Sequence, residues 1–361
     1  MQGSRFEEGI SVRRKRVFVL LAVVSTLLFA LMPAPTSAQE ASEELAGSVD
    51  FGDSAPSGAT LQALASLTSI EKYNTFPNTD YVATGVGGLR AIGDGVLTLT
   101  GVTGEVTAAV LYWQGPTNSD DKGANADITF AGEDIQGTSI GFSDDNCWGF
   151  ANSQAYRADV TGLVDGDDDY EISNLVKSGV DINGASLLVF FDDGDATNDQ
   201  TVTVFNGNDS NIENPFDADG WNGALENVPF DGGTATLEMH VSDGQEFLDD
   251  AVAINGVELV AGGAVFQGDT VPGLPGPTGN GSLWDIRQFD ISSFMELGEN
   301  DLLVTTGVVS DCLSLVVAVV AAEANGLSIE PVVSEGLAGT GELVLIECSS
   351  GRNVSGDRGT R

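Results

Sequence analysis

The chain has 361 residues, with 14 Lys and Arg against 54 Asp and Glu, a formal net charge of -40 and 42% hydrophobic residues. That sign excludes nucleic acid as a partner, because phosphate binding needs clustered cations. The hydrophobic content, gathered in β-branched and aromatic runs, excludes general disorder. A compact state of this charge repels itself unless salt screens it or cations bind it.

At the start of the chain, Arg13-Arg14-Lys15-Arg16 runs into the apolar stretch 17–32, and small residues follow up to Ala38. This is the pattern of a secretory signal peptide over 1–38, cleaved after Ala38. An uncleaved anchor is the alternative, but the apolar run is shorter than the ~20 residues a spanning helix needs. The expected location is extracellular or at the cell surface, with the membrane met only during export. Cleavage leaves nine basic and 52 acidic side chains, a net of -43. Three cysteines, Cys147, Cys312 and Cys348, then enter an oxidising compartment, which predicts one disulfide and one thiol left over.

Residues 39–80 read as a linker and lead-in, in which 59–70 (ATLQALASLTSI) has a weak helical pattern. From Tyr81 onward, runs of five to nine apolar and β-branched residues are broken by Gly, Asp, Asn and Pro, the pattern of strands and turns. The order of these runs repeats. Gly132 and Gly256, Asp159 and Asp290, and Ser186 and Ser314 correspond at offsets of 124, 131 and 128. An all-β fold of two tandem antiparallel, jelly-roll-like β-sandwiches is the reading, over 81–199 and 200–322, with an acidic inter-repeat segment at 192–219 and a tail over 323–361.

Local chemistry supports strands throughout. Asn255-Gly256 between apolar residues is a two-residue hairpin signal, since both positions of a type I′ turn need positive φ. Residues 187–191 and 313–320 are apolar at nearly every position, as in strands buried on both faces. In YRADVTGLV (156–164) and RQFDISSFM (287–295), an Asp followed two residues later by Thr or Ser can cap a corner between sheets. Asp165-Gly166-Asp167-Asp168-Asp169 reads as a hairpin tip.

The strings VLYWQGPT (110–117), DNCWGF (145–150), NGASLLVFFDDGD (183–195), FNGNDSNIENPFDADGW (205–221) and SDCLSLVVAVV (310–320) resemble a family of uncharacterised secreted or surface proteins of bacteria and archaea, a domain of unknown function. The resemblance implies export and a β-fold, and no activity. FDISSFMELGENDLLV (289–304) is more loosely similar to a strand-corner-strand segment of galactose-binding-like jelly rolls. Because Cys147 and Cys312 both lie inside the resembling region, they are the expected disulfide, with Cys348 unpaired. The tail carries Leu337-Ala338-Gly339-Thr340-Gly341, similar to a sortase sorting signal but without the apolar membrane segment such a signal needs.

Candidate chemistry is sparse. Gly137-Thr138-Ser139-Ile140-Gly141 has the nucleophile spacing of serine hydrolases, but no helix follows it. His240 is the sole histidine and sits in an alternating run, where a half-exposed sheet position is expected. One histidine builds neither a triad nor a histidine metal centre. A glycosidase needs only two carboxylates, and nothing singles out a pair. Calcium suits the composition better, being a hard cation held by Asp, Asn and carbonyl oxygens. The candidate ligands are Asp192, Asp193, Asp195, Asn208, Asp209, Asp217 and Asp219, with Asx-turn chemistry as the alternative use of the same residues. Trp148 and Trp221 lie in polar loops, where they could stack on a sugar or cover the ends of the core. The expected function is a secreted or surface-displayed binding or structural protein, not an enzyme, whose partner is an extracellular ligand, glycan or surface protein. A carbohydrate-binding module is the second reading and an extracellular polysaccharide hydrolase the third.

Overall fold

The computed structural model describes residues 70–275 and 279–324. The signal peptide, most of the 59–70 segment, Cys348 and the sorting-like motif lie outside the described residues. Seventeen strands follow one another: β1 (Ile70–Val86), β2 (Gly95–Leu99), β3 (Glu105–Thr117), β4 (Asp127–Phe130), β5 (Glu133–Gln136), β6 (Thr138–Ser143), β7 (Asn152–Asp159), β8 (Asp168–Ser173) and β9 (Gly184–Asp192). The second set is β10 (Gln200–Ser210), β11 (Gly223–Phe230), β12 (Ala235–Ser242), β13 (Val252–Ile254), β14 (Val257–Val260), β15 (Trp284–Asp290), β16 (Gly298–Thr305) and β17 (Ser314–Glu323). All named strands pair antiparallel, and the only helical pieces among the described residues are two short 3₁₀ turns, Thr161–Leu163 and Ser292–Phe294. The fold class is all-β.

A nine-stranded sheet has the order β15-β12-β17-β10-β1-β9-β3-β7-β6, and two four-stranded sheets have the orders β11-β16-β13-β14 and β2-β8-β4-β5. The large sheet is continuous through β1. Residues 70–79 of β1 pair with β10 and residues 80–86 with β9, with a register shift between Phe76 and Thr79. Pro77 cannot donate to a ladder, and Asn78 has φ 49°, so the strand changes direction there. Residues 70–80, which composition places in a linker, are therefore an integral strand, with Ile70 1% exposed in the core.

From β1 outward, one side of the large sheet reads β1-β9-β3-β7-β6 and the other β10-β17-β12-β15, so the two orders match place for place once β6 is set aside. The small sheets match in the same way. Gly132 and Gly256 sit in the β4–β5 and β13–β14 turns, whose paired positive φ values at Ala131-Gly132 and Asn255-Gly256 are those of type I′ hairpins. Asp159 and Asp290 end β7 and β15. Each accepts bonds from the backbone N–H and the hydroxyl two residues on, at 3.0 and 2.7 Å from Thr161 and at 2.9 and 2.6 Å from Ser292. These bonds hold both carboxyls below the ordinary range. The acidic run 165–169 is not a hairpin tip: it joins β7 to β8, which lie in different sheets, and Asp167 accepts from the backbone of Gly101 and Val102.

Alternation along the central strands separates the cores. Leu187 and Val189 of β9 pack with β3, β7 and the β2-β8-β4 sheet, around Trp113, Phe130 and Tyr156. Ala318 and Val320 of β17 pack with β10, β12 and the β11-β16-β13 sheet, around Phe205, Trp221 and Met239. The intervening residues, Leu188, Phe190, Val317 and Val319, meet in a third core between the two sides of the folded large sheet. That is why these strands are apolar on both faces.

Candidate functional site

Between the two sides of the large sheet runs a buried polar seam. Ser242 Oγ donates to Gln114 Oε1 at 2.5 Å, Asn183 Nδ2 donates to Ser242 Oγ at 2.9 Å, and Asn208 Nδ2 donates to Ser153 Oγ at 3.0 Å. His240 belongs to this seam and not to a half-exposed face. It is fully buried, with Nδ1 2.7 Å from Ser186 Oγ and Nε2 3.1 Å from Glu238 Oε1. The alternating pattern around His240 misleads because the second face of β12 is covered by the opposite side of the same sheet.

At one end of the seam, loops from both sets of strands converge. Arg90, just after β1, lies with its guanidinium carbon 3.7 Å from the Trp148 ring centroid and its Nη2 3.8 Å from Asp243 Oδ1, and it hydrogen-bonds Asn183 Oδ1. Trp148 Nε1 donates to both oxygens of Asp243, at 2.8 and 2.9 Å. Burial holds the Asp243 carboxyl well above the ordinary range, against the opposing pull of Arg90 and the Trp148 bond. The Cys147–Cys312 disulfide ties the β6–β7 loop to the loop before β17, as expected. Nearby Asp311 is pushed up to about 7, first by burial and then by Asp249 and Asp285, with its bonds from Gln245 and Cys312 N–H opposing. Asn146, Cys147, Asp243 and Leu283 all have positive φ here, a concentration of backbone strain in one loop cluster. Packing leaves no open space in it for a ligand among the described residues: Arg90, Asp243 and Asp311 are each 5% exposed or less.

An open groove of about 790 Å³ lies beside β6. Its walls are Thr138 to Phe142 of β6 on one side and Glu71, Lys72 and Tyr73 of β1 on the other, with Phe216 from the β10–β11 loop and Asp120 at the rim. Arg157 of β7 and Asn206 of β10 also line it. The Arg157 guanidinium carbon lies 3.9 Å from the Tyr73 ring centroid, and Nη1 donates to Asn206 Oδ1 at 2.7 Å. Phe142 and Phe216 form a second aromatic pair, centroids 5.9 Å apart. Phe216 is 45% exposed. The groove exists because β6 has no counterpart in the second set of strands: it overhangs β10, and a Cβ on Gly141 would come within 2.9 Å of Asn208 N.

Of the sequence-derived residues, only the Gly137–Gly141 run meets the groove: Thr138 to Gly141 line it as part of strand β6, with no helix following, while the others fall elsewhere. Trp221 is not available for stacking on a ligand: it is 1% exposed in the core, with Phe266 at 5.7 Å. Trp148 has Arg90 on its ring and its indole N–H committed to Asp243, so it serves the loop cluster. The seven acidic and amide candidates are split between the two ends of β10, an eleven-residue strand spanning about 30 Å. They do not form one site. Asp192, Asp193 and Asp195 accept from the backbone N–H groups of Gly194, Asp195 and Thr197 in successive Asx turns. At the other end Asp209 is buried and accepts from Asn222 N, Asp217 accepts from Ser143 Oγ, Asn208 bonds Ser153, and Asp219 is exposed. Among the described residues no three His, Cys, Asp or Glu side chains are gathered as a metal-holding group. Tyr73 and Arg157 escaped sequence reading because Tyr73 lies in the supposed linker and Arg157 inside a strand whose other positions are nearly all buried. The one available signal was an arginine in so acidic a chain.

No family model and no curated protein matches the chain. Among solved structures, it is similar to PNGase F, a glycosylasparaginase from Flavobacterium meningosepticum, at 11% identity and TM-score 0.25, covering 70% of this chain and 94% of that one. Two further structures, a recombinant N-glycanase F and a peptide-N(4)-(N-acetyl-beta-D-glucosaminyl) asparagine amidase, are similar at 10% and 12% identity, each with TM-score 0.23, covering 69% of this chain and 95% of theirs.

Proposed function

We propose that this chain is a secreted or surface-displayed, non-catalytic binding protein acting in adhesion or surface architecture, and that the groove beside β6 receives a carbohydrate. The observation that carries this reading is the exposed Phe216 beside Phe142, set with the polar Asn206 and Arg157 in one open groove. Aromatic faces bury the apolar side of a sugar ring while amide and hydroxyl groups take its edges. A non-catalytic role is supported by the groove's carboxylates, Glu71 and Asp120, which are both exposed. The general acid of a two-carboxylate glycosidase site is ordinarily shielded from solvent. Calcium belongs to the proposal as a stabiliser of the acidic β9–β10 turn. The test is a glycan array probed with the mature chain and with Phe216→Ala, whose exposed ring can be removed without opening the core. Glycan binding lost in the variant is the expected result, and an array blank for the parent chain would sink the carbohydrate reading.

A further inference from the structure

We infer that the ligand of this groove is an anionic saccharide, one bearing a uronate carboxylate or a sulfate ester, received by Arg157. The inference rests on the carbohydrate reading and narrows it. Three arginines occur among the described residues, and two of them are matched with acids, Arg90 with Asp243 at 3.8 Å and Arg287 with Asp269 at 3.1 Å. Arg157 has no carboxylate within ion-pair distance among the described residues, in a chain with 54 acidic side chains to choose from. Its contacts are neutral: the face of Tyr73 and the amide oxygen of Asn206.

Those contacts fix the guanidinium plane and occupy one of its edges, while Arg157 remains half-buried in the groove lining. A planar, held guanidinium is suited to two parallel hydrogen bonds with a carboxylate or sulfate, and holding it beforehand lowers the entropy lost on binding. Lys72 contributes only its stem to the groove, since its Nζ is turned away to Asn227 O at 2.8 Å, which leaves Arg157 as the cation of the site. The exposed carboxylates Glu71 and Asp120 disfavour an anion beside them, which places the ligand's charge next to Arg157. Elsewhere the strongly acidic surface repels such a ligand, so the groove is where it can be held.

The experiment measures binding of the mature chain to galacturonate oligomers, to the same oligomers after carboxyl reduction, and to a sulfated oligosaccharide of similar length, by calorimetry at low and high salt. At least about tenfold tighter binding of an anionic form than of its neutral counterpart is expected, a preference that shrinks with salt. Arg157→Gln should bring the anionic-to-neutral ratio close to one. Preference for the sulfated ligand over the uronate assigns the anion to a sulfate ester and supports the inference. Equal binding of native and carboxyl-reduced oligomers, with no gain for sulfate, overturns it while leaving the carbohydrate reading in place. If no saccharide binds, both fall. The ligand-side comparison uses the unaltered protein, so the result does not depend on whether Arg157→Gln folds.

Discussion

Arg90 and Asp243, from opposite sets of strands, meet at 3.8 Å in a position where both are almost wholly buried, with Trp148 stacked on the one and hydrogen-bonded to the other. Removing one member of a buried pair leaves the other without compensation, typically at about 3 to 5 kcal/mol. Arg90→Met is therefore expected to lower unfolding stability by about 3 kcal/mol at pH 8. The loss should shrink at pH 5, because the Asp243 carboxyl is already raised by burial and takes a proton more readily once Arg90 is gone. Urea denaturation of parent and variant at both pH values checks it, and a loss independent of pH would point to packing alone.

The Cys147–Cys312 disulfide closes a sequence separation of 165 residues between the β6–β7 loop and the loop before β17. In the chain-entropy description a loop of that length is worth about 5 kcal/mol. Cys147→Ser with Cys312→Ser is expected to lower stability by that order, and dithiothreitol should reproduce the effect in the parent. Non-reducing peptide mapping gives the pairing, and a Cys348 linkage to either partner would contradict it.

Stability should fall as pH rises through the weakly acidic range. Asp311 is held at about 7 in the folded state, against 3.8 for the unreacted side chain, so between these values the native state binds the extra proton. The unfolded state then binds fewer protons, and unfolding free energy declines with pH over that interval. Burial raises Asp209, Asp249 and Asp285 in the same direction. Asp159 opposes them, because its lowered carboxyl contributes stability above the unfolded value that is lost as pH falls through the folded one. Unfolding free energy should decline between pH 3.8 and about 7 at up to roughly 1.4 kcal/mol per pH unit for one fully coupled group, and melting temperatures measured from pH 4 to 8 should fall with it. The slope should be smaller in Asp311→Asn, and equal slopes would remove Asp311 as a source.

At the β9–β10 turn, Asp192, Asp193 and Asp195 raise the carboxyl of Asp199, after burial, and Asp192, Asp193 and Asp199 do the same for Asp80. A divalent cation there would offset this repulsion. Calcium is expected to raise the melting temperature by several degrees relative to EGTA at fixed ionic strength, following RT ln(1 + [L]/Kd), and Asp193→Ala should abolish the shift. If sodium chloride gives the same rise, the effect is screening and not a site.

The parts of this fold legible in sequence are those set by local chemistry. Asn255-Gly256 announces its hairpin through backbone conformation, Asp159 and Asp290 announce corners through the Thr and Ser two residues on, and residues 187–191 announce double burial through unbroken apolarity. What stayed hidden depends on the large sheet folding back on itself. His240 shows the alternation of a strand with one wet face, yet that face is dry because β9 covers it through Ser186. Trp221 stands among polar residues but turns inward, and the groove joins Tyr73, Arg157 and Asn206 from three strands with no shared motif. Pairings between distant segments leave no periodic trace.

The double pairing of β1 also has a kinetic side. Ile70 is matched with Gly207 and Val86 with Ala185, so the first described strand finds both its partners only after more than half the chain exists. Closure of the large sheet must wait for β9 and β10, and contacts of such long separation make for slow folding. Until then, the apolar stretches of β3 and β9 are open to wrong partners. Excess negative charge on every such intermediate is a defence that acts before any native contact has formed, keeping chains apart while they wait for their own middle strands.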